Sequence, residues 1–150
     1  CGWEPHKTLE DSMQVLANVL SDKSCYAVKD MKTGHVIGSI SLNFEEISDL
    51  KDSSKQLHQA EIGYWIGRPY WGQGLAPEGV QALTAYAFEE HGVDQVIIRY
   101  LERNKKSALV ARKCGFTEVG IITDFNKYTG KEEQFGISAL TRADWERVQK

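Results

Sequence analysis

The 150-residue chain has little cysteine, proline or methionine: three, three and two residues respectively. Cys1, Cys25 and Cys114 are odd in number and far apart, with no C-x-x-C pair and no histidine-rich ligand spacing. That excludes a disulfide framework and a metal site of familiar spacing, and the expectation is a reduced, cytoplasmic, metal-free protein. No apolar run approaches the roughly 18–20 residues of a membrane span and no signal peptide is read at the start, so no membrane partner is expected. An excess of positive charge is missing too. Eighteen Lys and Arg against 21 Asp and Glu leave a net charge of −3, which disfavours a nucleic-acid partner held through its phosphates. Repeats and low-complexity tracts are lacking, as is an opening methionine, so the chain reads as a fragment or a processed form. What is present, 41% hydrophobic residues over this length, is enough for one packed domain over 1–150 and too little for two.

The most informative stretch runs from Trp65 to Ala82, WIGRPYWGQGLAPEGVQA. An apolar strand breaks into a glycine-bearing loop and at once opens a helix. Gly72 and Gly74 let the backbone approach a ligand closely. Pro77 is preset for the first helical turn, so a helix is expected to start near Ala76 or Pro77. Its unpaired N–H groups, with those of the loop from Gly72 to Leu75, form a concave donor set suited to phosphate oxygens. Val80, Leu83, Tyr86, Ala87 and Phe88 give the helix an apolar stripe. Two familiar phosphate loops fail on the letters: the third glycine of G-x-G-x-x-G is replaced by Pro77, and no Gly-Lys-Ser/Thr follows. A glycine turn without any ligand stays open at this point.

Along the rest of the chain, Thr8 to Asp11 resembles a capping box and predicts a helix over about 9–21. Residues 24–29 and 35–43 read as an antiparallel hairpin turned at Gly34. From Phe44 to Gln59 the apolar pattern lapses into Glu45, Glu46, Asp49 and Asp52, which predicts a long surface loop, with an acidic stretch able to attract a cation. A strand over 60–66, the glycine loop, the helix to His91 and a strand over 94–101 form a unit whose simplest outcome is a parallel strand pair. Asn104 is expected to cap a helix over 105–113, stopped by Gly115. A closing hairpin over 116–140 and a short helix opened by Thr141 and Asp144 complete the chain.

With these elements in order, the segments AEIGYWIGRPYWGQGLAPEGVQALTAYAF, NKKSALVARKCGFTEVG and ALTRADW resemble the GNAT superfamily of acyl-CoA-dependent N-acetyltransferases, and within it the RimJ/RimL-type, ribosomal-protein N-acetyltransferase-like branch. WEPHKTLEDS and HVIGSISL look like features of the same branch. The resemblance implies an α/β (α+β) GNAT fold: a mixed, mostly antiparallel sheet with a central splayed parallel pair flanked by helices. It implies acetyl-CoA as cofactor, without a metal. The family's pyrophosphate motif, Arg/Gln-x-x-Gly-x-Gly/Ala, falls on Trp71, Gly72, Gln73, Gly74, Leu75 and Ala76, with Trp71 departing at the first position. Because the chemistry of such a loop comes mainly from backbone N–H groups, the departure weakens one contact and keeps the cradle. By the same resemblance, Tyr64, Trp65 and Ile66 splay from the strand at 96–99 and hold pantetheine in the gap, and Asn104 touches the cofactor arm.

Acetyl transfer needs a deprotonated amine and a protonated leaving thiolate. At neutral pH a lysine costs roughly 4–5 kcal/mol to deprotonate and an α-amine only about 1, so a modest base suffices for an N-terminal amine. Glu61, on the strand leading to the gap, is the candidate base; Glu133 on the closing hairpin is the alternative, and His58 reaches toward that side. Many relatives place an acidic tyrosine where this chain has Ala111. The RimJ/RimL-type pattern Asn-x-x-Ser instead matches Asn104 and Ser107, which makes Ser107 the candidate to bond the sulfur and relay a proton. Cys114 is disfavoured as a nucleophile, since the route expected is direct attack in a ternary complex. The expected function is acetyl transfer to a primary amine, either a protein N-terminus such as that of a ribosomal protein or a small molecule. The alternative is a non-catalytic acyl-CoA-binding module. The resemblance allows a homodimer. Family members usually begin with a further strand and helix, so a longer native protein, or a partner chain covering one acceptor wall, is expected.

Overall fold

The computed structural model describes residues 7–18, 24–48, 54–126 and 129–149. The elements are α1 (Leu9–Asn18), β1 (Cys25–Lys29), β2 (Val36–Ser48), β3 (Gln56–Ile66), a 3-10 turn (Arg68–Tyr70), α2 (Leu75–His91), β4 (Gln95–Leu101), α3 (Lys105–Lys113), β5 (Thr117–Asn126), β6 (Lys131–Thr141) and α4 (Arg142–Gln149). The strands form one sheet in the order β1-β2-β3-β4-β6-β5. Among the described residues only β3 and β4 run parallel. The WEPH segment, Asp49, Asp52 and the last turn expected of the first helix lie outside the described residues.

Local chemistry sets the helix starts. In α1 the Asp11 N–H donates to Thr8 Oγ1 at 3.1 Å while the Thr8 N–H donates to the Asp11 carboxylate at 3.0 Å, a reciprocal cap. Asn104 Oδ1 accepts from the Ser107 N–H at 3.2 Å to start α3, and Thr141 Oγ1 accepts from the Asp144 N–H at 3.2 Å to start α4. Helix α2 has no side-chain cap and begins at Leu75, one residue before Ala76, the earlier of the two expected starts, with Gly74 before it in the left-handed conformation.

The core lies where α2 packs on the sheet. Val80, Ala87 and Phe88 bury fully against Leu42, Ile62, Val96 and Ile98, each large side chain contributing roughly 1.5–3 kcal/mol. Tyr86 departs from the expected stripe: it is 40% exposed and sits edge-on to His91, while Thr84 is buried with its hydroxyl donating to the Val80 carbonyl at 2.7 Å. Trp145 of α4 stacks on Phe88 at 5.1 Å, and Arg142 donates to the carbonyls of Phe88 and Val93, tying α4 to the end of α2.

The expected loop from Phe44 to Gln59 is instead strand over 44–48 and 56–59, while 49–53 lie outside the described residues. β2 continues to Ser48 and pairs with β3 through Phe44↔Ala60, Glu46↔His58 and Ser48↔Gln56. The polar residues pair across the strands: the Gln59 amide donates to Glu45 at 2.6 Å and His58 lies 3.9 Å from Glu46. A strand tolerates such residues when a neighbour supplies the partner.

The parallel contact is short. Gln59↔Gln95, Ala60↔Val96 and Glu61↔Ile97 pair, and there the ladder stops. Beyond it β3 is held by β2 and β4 by β6, so the two strands diverge. Val96 and Ile97, expected on the splayed part, belong to the paired part. No helix among the described residues is long and apolar enough to cross a membrane.

Candidate active site

A cavity of about 710 Å³ opens where the splayed strands, the glycine loop and the first turns of α2 and α3 meet. Tyr64, Trp65 and Ile66 line it from β3; Trp71, Gly72, Gly74, Leu75 and Ala76 from the loop and α2; Asn104 and Ser107 from α3. All of these were candidates from sequence. Gln73 alone of the loop candidates does not line the cavity, and its amide donates to the Pro69 carbonyl at 3.2 Å.

The loop owes its shape to Gly72 at φ +76° and Gly74 at φ +79°, in the left-handed region that costs other residues roughly 1–2 kcal/mol. A Cβ at either position meets nothing within 4 Å, so both face open space. Helix α2 carries no side-chain cap. Pro77 has no N–H and the Glu78 N–H donates to the Gly74 carbonyl, so the first-turn donors left where the loop opens are the N–H groups of Leu75 and Ala76. A diphosphate fits that donor set, which is the test the cradle has to pass for coenzyme A.

Trp71 is fixed by its indole N–H, which donates to the Ile66 carbonyl at 2.6 Å. Lys106 Nζ stands 4.2 Å from the ring centroid and the Arg68 guanidinium 5.8 Å from it. On the far wall, the Asn104 carboxamide oxygen is engaged by its cap, which leaves its NH2 group to donate elsewhere. Ser107 sits beside Tyr64, whose buried hydroxyl lacks a hydrogen bond of good geometry. Burial pushes the Tyr64 pKa up, and the Ser107 hydroxyl pulls against that.

Glu61 lies outside the cavity lining, at the last parallel pair. Its carboxylate is 3.4 Å from Arg99 Nε, and the same guanidinium donates to Asp124 at 3.0 Å. Burial raises the Glu61 pKa above its ordinary 4.5, opposed by the charge of Arg99 and assisted by that of Glu45. Glu133 is placed differently. Arg103, Asn126 and Thr129 all hydrogen-bond to its carboxylate, and the Arg103 bond leads in holding its pKa down. A carboxylate so occupied is a poor base. His58 stands three residues before Glu61, about 10 Å along the strand, next to Glu46 and Phe44. Cys114 faces the Pro77 carbonyl at 3.6 Å and burial pushes its pKa up to about 11, so the thiol stays protonated and inert at neutral pH. Ala111 is fully buried in the core, with no hydroxyl at that position.

Sequence reasoning missed Arg99 and Lys106. The register Glu61↔Ile97 puts Arg99 just past the partner of Glu61 on the adjacent strand, which no local pattern announces. Among the described residues, no three or more of His, Cys, Asp and Glu converge as a metal site.

Comparison with known proteins shows the family and the fold. The family model described as an acetyltransferase (GNAT) domain matches residues 1–117. FsC-acetyl coenzyme A-N(2)-transacetylase of Aspergillus fumigatus is 40% identical over 96 residues, covering 61% of this chain and 40% of the relative. The [ribosomal protein uS5]-alanine N-acetyltransferase of Escherichia coli is 28% identical over 88 residues, covering 59% of this chain and 45% of the relative. Each match thus spans less than half of the relative's length. The crystal structure of a GNAT-family acetyltransferase from Bacillus anthracis superposes with a TM-score of 0.70 at 20% identity, over 89% of this chain and 75% of that one, which establishes the shared fold. With the family model covering most of its length and the fold matched independently, the chain belongs to the GNAT acetyltransferase domain family.

Proposed function

We propose that this domain transfers the acetyl group of acetyl-CoA to a primary amine by direct attack in a ternary complex. The observation that carries this reading is the junction of splayed strands with an uncapped, glycine-fronted helix in one cavity. Gly72, Gly74, Leu75 and Ala76 surround the diphosphate. The free edges of β3 from Tyr64 to Ile66 and of β4 take the pantetheine amides as an added strand would. Asn104 donates to the same arm.

Glu61 accepts the proton of the attacking amine, directly or through one water, and its raised pKa brings it closer to the amine it serves. As the amine nitrogen bonds to the carbonyl carbon and the carbon–sulfur bond breaks, Ser107 supplies a hydroxyl proton to the sulfur and recovers one from solvent. An alkyl thiolate of pKa about 8.5 needs no stronger acid. The modest base favours an α-amine over a lysine side chain as acceptor. Of the two relatives above, one is named for a ribosomal protein's alanine, and the net charge of −3 suits a basic protein partner. The whole chain, 1–150, forms one such domain.

The test is titration of acetyl-CoA into the protein followed by an acceptor screen read by acetyl mass shift. Saturable binding with a rise in melting temperature, and acetylation of an N-terminal peptide, are the expected results. Binding with no turnover across a broad amine panel replaces this reading with a non-catalytic acyl-CoA-binding module, and no binding removes both. A second expectation concerns Arg99, whose charge opposes the upward shift of Glu61. Activity requires the deprotonated base and falls as pH drops through its pKa. Arg99→Met therefore moves the acid limb of the kcat/KM profile to higher pH; an unmoved limb separates Glu61 from the chemistry.

A further inference from the structure

Backbone N–H groups carry partial charges, whereas a diphosphate brings full negative charge, to which a side-chain cation adds a stronger, charge-assisted bond. The cavity wall carries three cations: Arg103, Lys106 and Lys113. Arg103 is committed to Glu133. Lys113 follows Lys106 by seven residues, about 10 Å along α3 at helical rise. Lys106 is left. Among the described residues it has no carboxylate partner, and its ammonium rests on the Trp71 ring, 4.2 Å from the centroid. That ring adjoins Gly72 in the chain and is itself pinned by the bond from its indole N–H to the Ile66 carbonyl.

We propose that Lys106, held on the indole of Trp71, is the cation that binds the diphosphate of the donor, and that Trp71 serves as its platform. This rests on the donor-site reading above. An exposed cation–π contact is a weak hold, and the flexible four-carbon stem lets the ammonium turn from ring to phosphate oxygen. Loop and helix α3 are thereby linked through one side-chain pair, and the loop's tryptophan contributes through the lysine it positions.

Isothermal titration of CoA and of dephospho-CoA, which keeps the diphosphate and lacks the 3′-phosphate, tests this in the wild type, Lys106→Met, Trp71→Ala and the double variant. Lys106→Met is expected to weaken both ligands about tenfold, equivalent to about 1.4 kcal/mol, with an unchanged melting temperature for the free protein. Trp71→Ala is expected to weaken them likewise, and the double variant to be no more than twofold worse than either single one, the mark of two residues acting as a unit. Wild-type binding with Lys106→Met within twofold of it overturns the proposal and leaves the donor site standing. A loss confined to CoA overturns it in favour of a 3′-phosphate contact, and additive losses overturn the platform. A wild type that binds neither ligand removes the donor site as well.

Discussion

Gly74→Glu is expected to abolish acetyl-CoA binding, raising Kd at least a hundredfold. Gly74 is the left-handed residue from which α2 starts, and its carbonyl accepts the Glu78 N–H at 3.1 Å. A Cβ there meets nothing within 4 Å, so the substitution is not expelled by bulk inside the protein. It costs roughly 1–2 kcal/mol in backbone strain. The new carboxylate occupies the mouth of the cradle, where a second anion about 4 Å away meets a repulsion of about 4 kcal/mol at an effective dielectric of 20. Every 1.4 kcal/mol is tenfold in affinity, so the charge alone exceeds the hundredfold threshold. Gly74→Ala carries the strain without the charge and is expected to bind within about tenfold of the wild type. Titration calorimetry on both variants checks this; a Gly74→Glu affinity no worse than that of Gly74→Ala shows that the anion sits elsewhere.

Glu61→Gln is expected to lower kcat by at least a hundredfold while leaving the Kd for acetyl-CoA within about twofold. The glutamine keeps the shape and loses the basic oxygen, and a positioned general base is worth roughly 10²–10⁴. Glu61 lies outside the donor cavity, which is why the donor's affinity should survive. Losing the negative charge also frees Arg99 from one of its two carboxylates, while Asp124 at 3.0 Å still holds it. Steady-state kinetics with a saturating N-terminal peptide, beside calorimetry with the donor, reads the split. An unchanged kcat assigns proton removal to another group or to solvent.

Much of the fold was legible because its signals are local. Thr8 with Asp11, Asn104 with Ser107 and Thr141 with Asp144 each close a cap over three residues, and the structure makes all three bonds. The loop candidates, save Gln73, line one cavity because a strand, a tight turn and a helix start are set by adjacent residues. The length of β2 was not legible. Glu45 and Glu46 read as loop until their partners Gln59 and His58 are known, and those belong to another strand. The same limit hid Arg99 beside Glu61 and Lys106 over Trp71, both contacts between elements separated by a whole helix or strand. Burial adds what residue type does not give: it raises the Glu61 pKa and pushes that of the Cys114 thiol up to about 11.

The brevity of the β3–β4 ladder has a mechanical consequence. With three residue pairs joining them, β1-β2-β3 and β4-β6-β5 are two plates sharing a short seam, reinforced by the Gln95 amide bonded to Gln59 and by α2 lying across both. Of the strand pairings in the sheet, the one at this seam joins the fewest residues. A molecule whose amides bond to both diverging edges works as a stitch across it, so occupancy of the cleft and resistance to shearing or proteolysis rise together.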